Sequence, residues 1–140
     1  MSKYLDEIGY KPFWEKPEED GPKFEKEREE YGFDQRETWE LDETFAAWAY
    51  SRLRMLMDKA TFIDWDSEEN MIDIPTADDR WRIDYIFTMK VTLKDAIDLM
   101  LELFEFFLLN KYDIEKEDLA FKHLYYAAAI WGVVLPALWW

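Results

Sequence analysis

The most constraining feature of this sequence is an amphipathic segment that begins at Leu41 and runs to Ala60. Its apolar residues follow the i, i+4, i+7 and i+8 spacing of one helix face: Leu41, Phe45, Trp48, Ala49, Leu53, Leu56 and Ala60. That spacing predicts a helix of about five turns with one face against a core. Just upstream, Asp34 and Glu37 form a capping pattern, so we expect the chain to turn and begin a helix there.

Two charged side chains, Asp42 and Arg52, point toward this apolar stripe when residues are placed at about 100° intervals. Buried charges need partners. One interpretation is structural: Asp42 binds a backbone N–H or Arg36, and Arg52 snorkels or pairs with a carboxylate. The alternative is a recognition pocket formed by Arg36, Asp42 and Arg52.

A pattern of residues from Tyr31 onward resembles a known group of proteins. It consists of Gly32-Phe33-Asp34, Arg36, Thr38-Trp39, Leu41-Asp42 and Arg52-Leu53, followed by Trp81, Tyr85, Met89 and a closing Leu138-Trp139-Trp140. In this pattern the chain resembles small acidic proteins encoded by tailed bacteriophages and their prophages. The resemblance implies a phage origin and no particular reaction.

The charge balance narrows the classes of partner. The 140 residues include 32 Asp and Glu against 17 Lys and Arg, a net charge of −15. Such a chain repels nucleic acid and anionic lipid and favours basic protein surfaces, so we expect no direct nucleic-acid binding. The chain has no cysteine, which excludes disulfides and thiolate metal sites. The N-terminus lacks a secretory signal pattern, so we expect the cytoplasm of the host bacterium as its location.

The organisation along the chain predicts one domain preceded by an arm. Residues 1–30 combine prolines and charge runs with several aromatic residues, and we expect an extended arm that lies across the domain or a partner. Residues 31–140 are expected to form a single helical domain. The predicted fold class is all-α, a compact bundle of three to four helices with that extended N-terminal arm.

The later segments complete this prediction. We expect a loop over Thr61 to Pro75, since a short strand at 71–74 has no convincing partner. Thr76 is expected to cap a helix that runs to about Lys90. Thr92 with Asp95 forms a second capping pattern, so we expect the helix either to kink near Val91 or to restart there. From Leu93 to Leu109 the polar residues form one narrow stripe, which predicts a nearly surrounded central helix. The stripe consists of Lys94, Asp98, Glu102 and Glu105.

The acidic residues offer candidate binding and metal sites. Asp64, Asp66, Glu68 and Glu69 are candidate binding residues in the predicted loop. Asp64, Asp66 and Glu69 resemble half of a calcium loop, but the segment lacks its central glycine and its final glutamate, so we expect no calcium site. Two acid pairs, Glu40 with Glu43 and Asp95 with Asp98, fit weakly the paired motifs of all-α Mg²⁺-dependent nucleotide pyrophosphatases.

Other catalytic chemistry has little support in this sequence. The chain has a single histidine, His123, and no nucleophile elbow surrounds any serine. We therefore expect no catalytic residues, no metal ligands and no cofactor.

The C-terminal helix carries no charged side chain after Lys122. Its apolar run reaches only the lower edge of a membrane span, and Pro136 and the absence of basic flanks disfavour insertion. We expect a core or subunit-contact helix instead, which ends or kinks close to Pro136. The candidate interface residues are Trp131, Leu138, Trp139 and Trp140, through which a homo-oligomer could form.

These expectations define a function. We expect a phage-encoded, non-enzymatic protein-binding factor, in its most concrete form an inhibitor of a host defence or nucleic-acid enzyme whose acidic faces occupy a basic groove. The alternatives are a virion or assembly component and the pyrophosphatase.

Overall fold

The structure is a computed structural model that describes residues 2–13, 21–60, 64–65 and 67–138. Within these ranges the chain forms helices and one antiparallel hairpin. In chain order they are α1 (Lys3–Glu7), α2 (Gly21–Tyr31), α3 (Leu41–Lys59), β1 (Met71–Ala77), β2 (Ile83–Thr92), α4 (Leu93–Asn110) and α5 (Glu117–Val134). Short 3-10 helices cover Gln35–Thr38, Glu68–Asn70 and Leu135–Ala137.

The core is built around α4, which packs against both α3 and α5. Its inward face carries Met100, Phe104 and Phe107, all fully buried. Phe104 meets Phe45 of α3 edge-on with the ring centroids 5.8 Å apart. Aromatic pairs of this geometry add to the free energy gained by burying apolar area. The prediction that this segment is the central helix is confirmed.

Two of the three predicted start signals are confirmed, those at Asp34 and at Thr92. Asp34 accepts a hydrogen bond from the backbone N–H of Arg36, and Glu37 accepts one from the backbone N–H of Asp34, which completes a capping box. The box opens the 3-10 helix at Gln35–Thr38, and α3 follows from Leu41. Thr92 caps α4, since its hydroxyl accepts from the backbone N–H of Asp95 at 3.1 Å. Each cap satisfies a donor that the helix itself leaves unpaired.

The all-α prediction is wrong, because residues 71–92 form a β-hairpin. Residues 71–74 are strand and not loop, and the predicted helix from Thr76 to Lys90 is mostly strand β2. The fold is therefore mixed α and β. Residues 83–92 are rich in β-branched and aromatic side chains, which favour a pleated strand. The spacing of their apolar residues also fits a helix face, so the sequence predicts a helix here and gives no sign of the strand that pairs with β1.

Pro75 explains the irregular register of the hairpin. Ile74 pairs with Met89, but Thr76 pairs with Asp84, so residues 85–88 bulge out opposite Pro75. Proline has no N–H to donate, and in strands it is confined to edges and bulges. The Asp84 carboxylate accepts from the backbone N–H groups of Ile86 and Phe87 at 2.8 and 3.0 Å, which holds the bulge closed.

The turn of the hairpin is organised by Asp78 and Trp81. The Asp78 carboxylate accepts from the backbone N–H groups of Arg80 and Arg82, both at 2.9 Å. Trp81 has a φ of 62°, a conformation that is costly for a bulky residue. Its ring lies 4.3 Å from that of His123 on α5, and this packing holds the turn on the helix.

The N-terminal residues 2–13 pack on α3. The Tyr4 hydroxyl donates to Asp58 at 2.6 Å, and the Tyr10 hydroxyl donates to Glu43 at 2.7 Å. Tyr4 and Tyr10 are themselves buried. At the other end of the chain, α5 ends at Val134, and Pro136 lies in the following 3-10 helix. Proline has no N–H with which to continue the α-helical hydrogen bonds, so α5 ends close to Pro136, as the sequence predicts.

Candidate interaction surfaces

The exposed side of α4 carries a line of carboxylates that we call the acidic ridge, formed by Asp95, Asp98, Glu102 and Glu105. With a rise of about 1.5 Å per residue, the ridge spans about 15 Å with a carboxylate every 4.5 to 6 Å. Glu105 is half-buried and the other three are exposed. Because the opposite side of α4 is packed in the core, the ridge stands on a rigid support.

Little positive charge faces the ridge. Asp98 pairs with Lys94 at 2.7 Å on the helix surface. Among the described residues, no cation lies within ion-pair distance of Asp95, Glu102 or Glu105. A surface pair such as that of Lys94 is worth little and is screened by salt. The ridge therefore keeps most of its negative charge available to a partner.

The predicted acidic loop lies beside the N-terminal end of the ridge. The backbone N–H of Lys94 donates to the carbonyl of Trp65 at 3.1 Å, so the loop is joined to the first turn of α4. Asp64, Glu68 and Glu69 are exposed there. Asp66 lies outside the described residues. The loop thus extends the acidic surface that the ridge begins.

Asp42 belongs to a different cluster, centred on Lys111 and called here the Lys111 cluster. Lys111 Nζ lies 2.7 Å from Glu40, 3.0 Å from Asp42 and 3.4 Å from Glu43. The other Glu43 oxygen accepts from the Tyr10 hydroxyl. Burial alone would lower the pKa of Lys111, but hydrogen bonds to Glu40 and Asp42 and the charge of Glu43 raise it well above its usual value. This cluster joins the end of α4 to the start of α3.

The two acid pairs proposed for Mg²⁺ binding do not converge. Glu40 and Glu43 face Lys111 at the C-terminal end of α4, whereas Asp95 and Asp98 stand at its N-terminal end. The helix rise separates Asp98 from Lys111 by about 20 Å. The residues that the structure describes contain no group of three His, Asp or Glu side chains placed to hold a metal ion. A four-carboxylate site cannot form from these pairs in this fold.

Arg36 is only 8% exposed and forms a compact pair with fully buried Asp34. Its Nε and Nη2 atoms donate to the Asp34 carboxylate at 3.1 and 2.9 Å, while Arg28 donates to the same group at 2.7 Å. Burial would raise the pKa of Asp34, but hydrogen bonds from Arg36 and Arg28 hold it below its usual value. The Arg36 side chain also stacks over the Phe24 ring at 4.2 Å. Arg36, Asp42 and Arg52 therefore have separate partners.

Arg52 lines the same groove as two of the predicted interface residues. Trp131 and Leu138 line a groove of about 300 Å³ between α3 and the end of α5, together with Arg52 and several apolar residues. The Arg52 guanidinium lies 4.7 Å from the centre of the Trp48 ring. We call this feature the α3–α5 groove. Trp139 and Trp140 lie outside the described residues.

Sequence reasoning missed one exposed apolar feature, the bulge of β2. Tyr85, Ile86 and Phe87 project from it, and Ile86 and Phe87 are 85% and 77% exposed. All three residues fall within the segment from Thr76 to Lys90, which the sequence predicts as a helix. Once the two strands are paired, Pro75 is the residue that points to the bulge, because prolines within strands lie at edges or bulges.

The C-terminal segment Glu117–Ala137 is, among the described residues, long and apolar enough to cross a membrane. Core helices pass the same test of length and composition. In this fold the segment contributes Leu124, Ala127 and Ile130 to the core.

Comparison with known proteins gives no family for this chain. No protein-family model matches the chain, and comparison with curated protein sequences and with solved structures finds no match.

Proposed function

We propose that this protein is a non-enzymatic, phage-encoded binding factor that acts in the bacterial cytoplasm on a protein with a basic surface. The observation that carries the proposal is the acidic ridge. Its carboxylates stand in line on a helix whose other side is the centre of the core. A charged surface that is already fixed in place loses little conformational entropy when a partner binds.

The spacing of the ridge supports a more concrete form of the proposal, inhibition of a host defence or nucleic-acid enzyme. One strand of DNA carries a charge about every 3.4 Å along its axis, and the ridge carries one about every 5 Å. A groove that binds phosphates through Lys and Arg side chains could therefore accept the ridge. Complementary charge would also steer the encounter and speed association.

Affinity capture from a lysate of phage-infected bacteria tests the proposal with two variants that have the same net charge but lose it at different places. The ridge variant is Asp98→Asn, Glu102→Gln and Glu105→Gln. The matched control is Glu25→Gln, Glu29→Gln and Glu30→Gln on exposed positions of α2. Both variants lose three negative charges, so a difference between them reports the position of the charge and not its total.

We expect mass spectrometry to identify a basic protein that the wild-type chain and the α2 variant retain and the ridge variant loses. The retained protein should elute as salt rises to about 0.5 M, where the screening length is only a few ångströms. Equal capture by the ridge variant would refute the role of the ridge. Capture of phage structural proteins would instead support an assembly component, and release of pyrophosphate from nucleotides with Mg²⁺ would establish an enzyme.

A further inference from the structure

We propose that the α3–α5 groove is a second binding site, which receives an amphipathic helix of a partner protein that carries carboxylates along one edge of its apolar face. The site is distinct from the acidic ridge. The ridge is the outward side of α4, while the groove runs between the two helices that α4 packs against, so the two surfaces face different directions.

The walls of the groove have the chemistry of a protein interface. Arg52, Met55 and Leu56 line the groove from α3, and Trp48 lies one turn before Arg52 on the same face of that helix. Trp131, Leu135 and Leu138 form the other wall. The two walls meet where the rings of Trp48 and Trp131 pack edge-on at 6.0 Å. Trp, Met and Arg are enriched at protein interfaces, and Trp and Arg are among the residues that most often carry the binding free energy.

The shape of the groove fits a helix. Its lining is mainly aliphatic, and its volume of about 300 Å³ suits one or two apolar side chains. Trp48, Met55 and Leu135 are roughly half exposed in the free protein. Apolar anchors spaced one turn apart on an amphipathic helix are the usual occupants of such grooves between helices.

The charge around the groove selects an acidic partner. Among the described residues no carboxylate lies within ion-pair distance of Arg52, although the chain is strongly acidic. Burial against its neighbours lowers the pKa of Arg52, and the charge of Glu37 offsets this only in part. A carboxylate of a partner protein would therefore form an ion pair with Arg52, which has no such pair among the described residues of this chain.

Two lysines extend this positive region. Lys3 and Lys59 line the depression that continues the groove past Arg52 and Met55. Asp58, the carboxylate that lines that depression among the described residues, already accepts a hydrogen bond from the Tyr4 hydroxyl. Arg52 and these two lysines all line that depression, beside the apolar surface of the groove. A helix with acidic residues on the matching edge is the complementary ligand, whereas a basic helix would be repelled.

A peptide-display selection on the intact protein tests this site. Random 12-residue peptides are selected on the wild-type chain, and the most enriched one is labelled and its affinity measured by fluorescence anisotropy. The variants are Arg52→Gln and Leu135→Asp, both at exposed positions. Arg80→Gln is the matched control, because Arg80 is an exposed arginine of the hairpin turn, away from the groove. Melting temperatures confirm that each variant is folded.

We expect the enriched peptides to combine apolar residues at helical spacing with Asp or Glu. Arg52→Gln and Leu135→Asp should each weaken binding at least tenfold, and Arg80→Gln should leave it unchanged. Several results would overturn the proposal: no enrichment over the Leu135→Asp protein, enrichment of basic peptides, or equal affinity for Arg52→Gln. A dimer that Leu135→Asp dissociates, or binding to anionic lipid vesicles that Arg52→Gln abolishes, would assign the groove to another occupant.

Discussion

Two groups of carboxylates lie beside α4, and they differ in whether a cation of the protein neutralises them. At the C-terminal end, Glu40, Asp42 and Glu43 surround one lysine that is only 8% exposed. Along the rest of the helix, the acidic ridge faces solvent with Lys94 as its paired cation. The first group is bound within the protein, and the second is directed outward. The number of acidic residues therefore does not distinguish a structural role from a binding role.

The difference lies in the cation and in the dielectric environment. A buried carboxylate such as Glu43 is stable only because Lys111 and Tyr10 compensate the loss of water. Exposed carboxylates on the ridge are solvated, so the fold does not need a partner for them. Neutralising the Lys111 cluster should thus harm folding, and neutralising the ridge should harm binding.

The largest expected effect comes from Lys111→Met. This change removes the cation while keeping a long side chain, so the buried Glu43 carboxylate keeps the hydrogen bond from Tyr10 but has no positive charge beside it. We expect the free energy of unfolding to fall by about 3–5 kcal/mol and the melting temperature by roughly 10 °C or more. Lys122→Met is the control, because Lys122 pairs with Asp118 at 2.9 Å on the surface of α5. It should cost about 0.5 kcal/mol or less.

Urea denaturation of both variants measures this contrast. Equal stability of Lys111→Met and Lys122→Met would remove the distinction between the two ends of α4.

The next largest effect is that the contribution of Lys111 to stability depends on alkaline pH. The pKa of Lys111 is raised in the folded state, so its contribution to stability is complete below the unfolded-state pKa of about 10.4 and is lost as pH rises through the folded pKa. Burial and the hydrogen bond to Glu43 also raise the pKa of Tyr10, which acts in the same direction. The stability difference between wild type and Lys111→Met should hold from pH 7 to about 10 and shrink above it. A difference that shrinks below pH 9 would indicate another ionisable group.

The smallest effect concerns the stability of the ridge variant. Asp98→Asn, Glu102→Gln and Glu105→Gln together should change the free energy of unfolding by no more than about 0.5 kcal/mol per site, and reduced self-repulsion could make the change favourable. The α2 variant should behave alike in urea denaturation. A loss of several kcal/mol in the ridge variant alone would show that the ridge is structural.

Local signals in the sequence predicted α3, α4 and the end of α5, because their caps, apolar periodicity and Pro136 act within a few residues. The hairpin was not predictable in the same way. Its turn lacks the usual Asn-Gly pattern and depends on Asp78 and on Trp81 at positive φ, held by His123 from a distant helix. Pro75 further conceals the pairing by shifting the register.

The candidate surfaces also differ in whether local sequence patterns or contacts between distant residues determine them. The stripe of α4 was visible in the sequence because helical periodicity places its polar residues together. The partner of Asp42 was not, because Lys111 lies 69 residues further along the chain. Arg52 was correctly placed toward the apolar stripe, yet only the packing of α5 against α3 shows that the stripe opens there as a groove.

The most direct test of the account is the affinity of the captured basic protein for three purified chains: wild type, the ridge variant and the α2 variant. Calorimetry at about 50 mM and about 0.5 M salt gives both the affinity and its screening. The account predicts that the ridge variant binds at least tenfold more weakly than the α2 variant at low salt, and that this difference shrinks at high salt. Equal affinities of the two variants at low salt would contradict it.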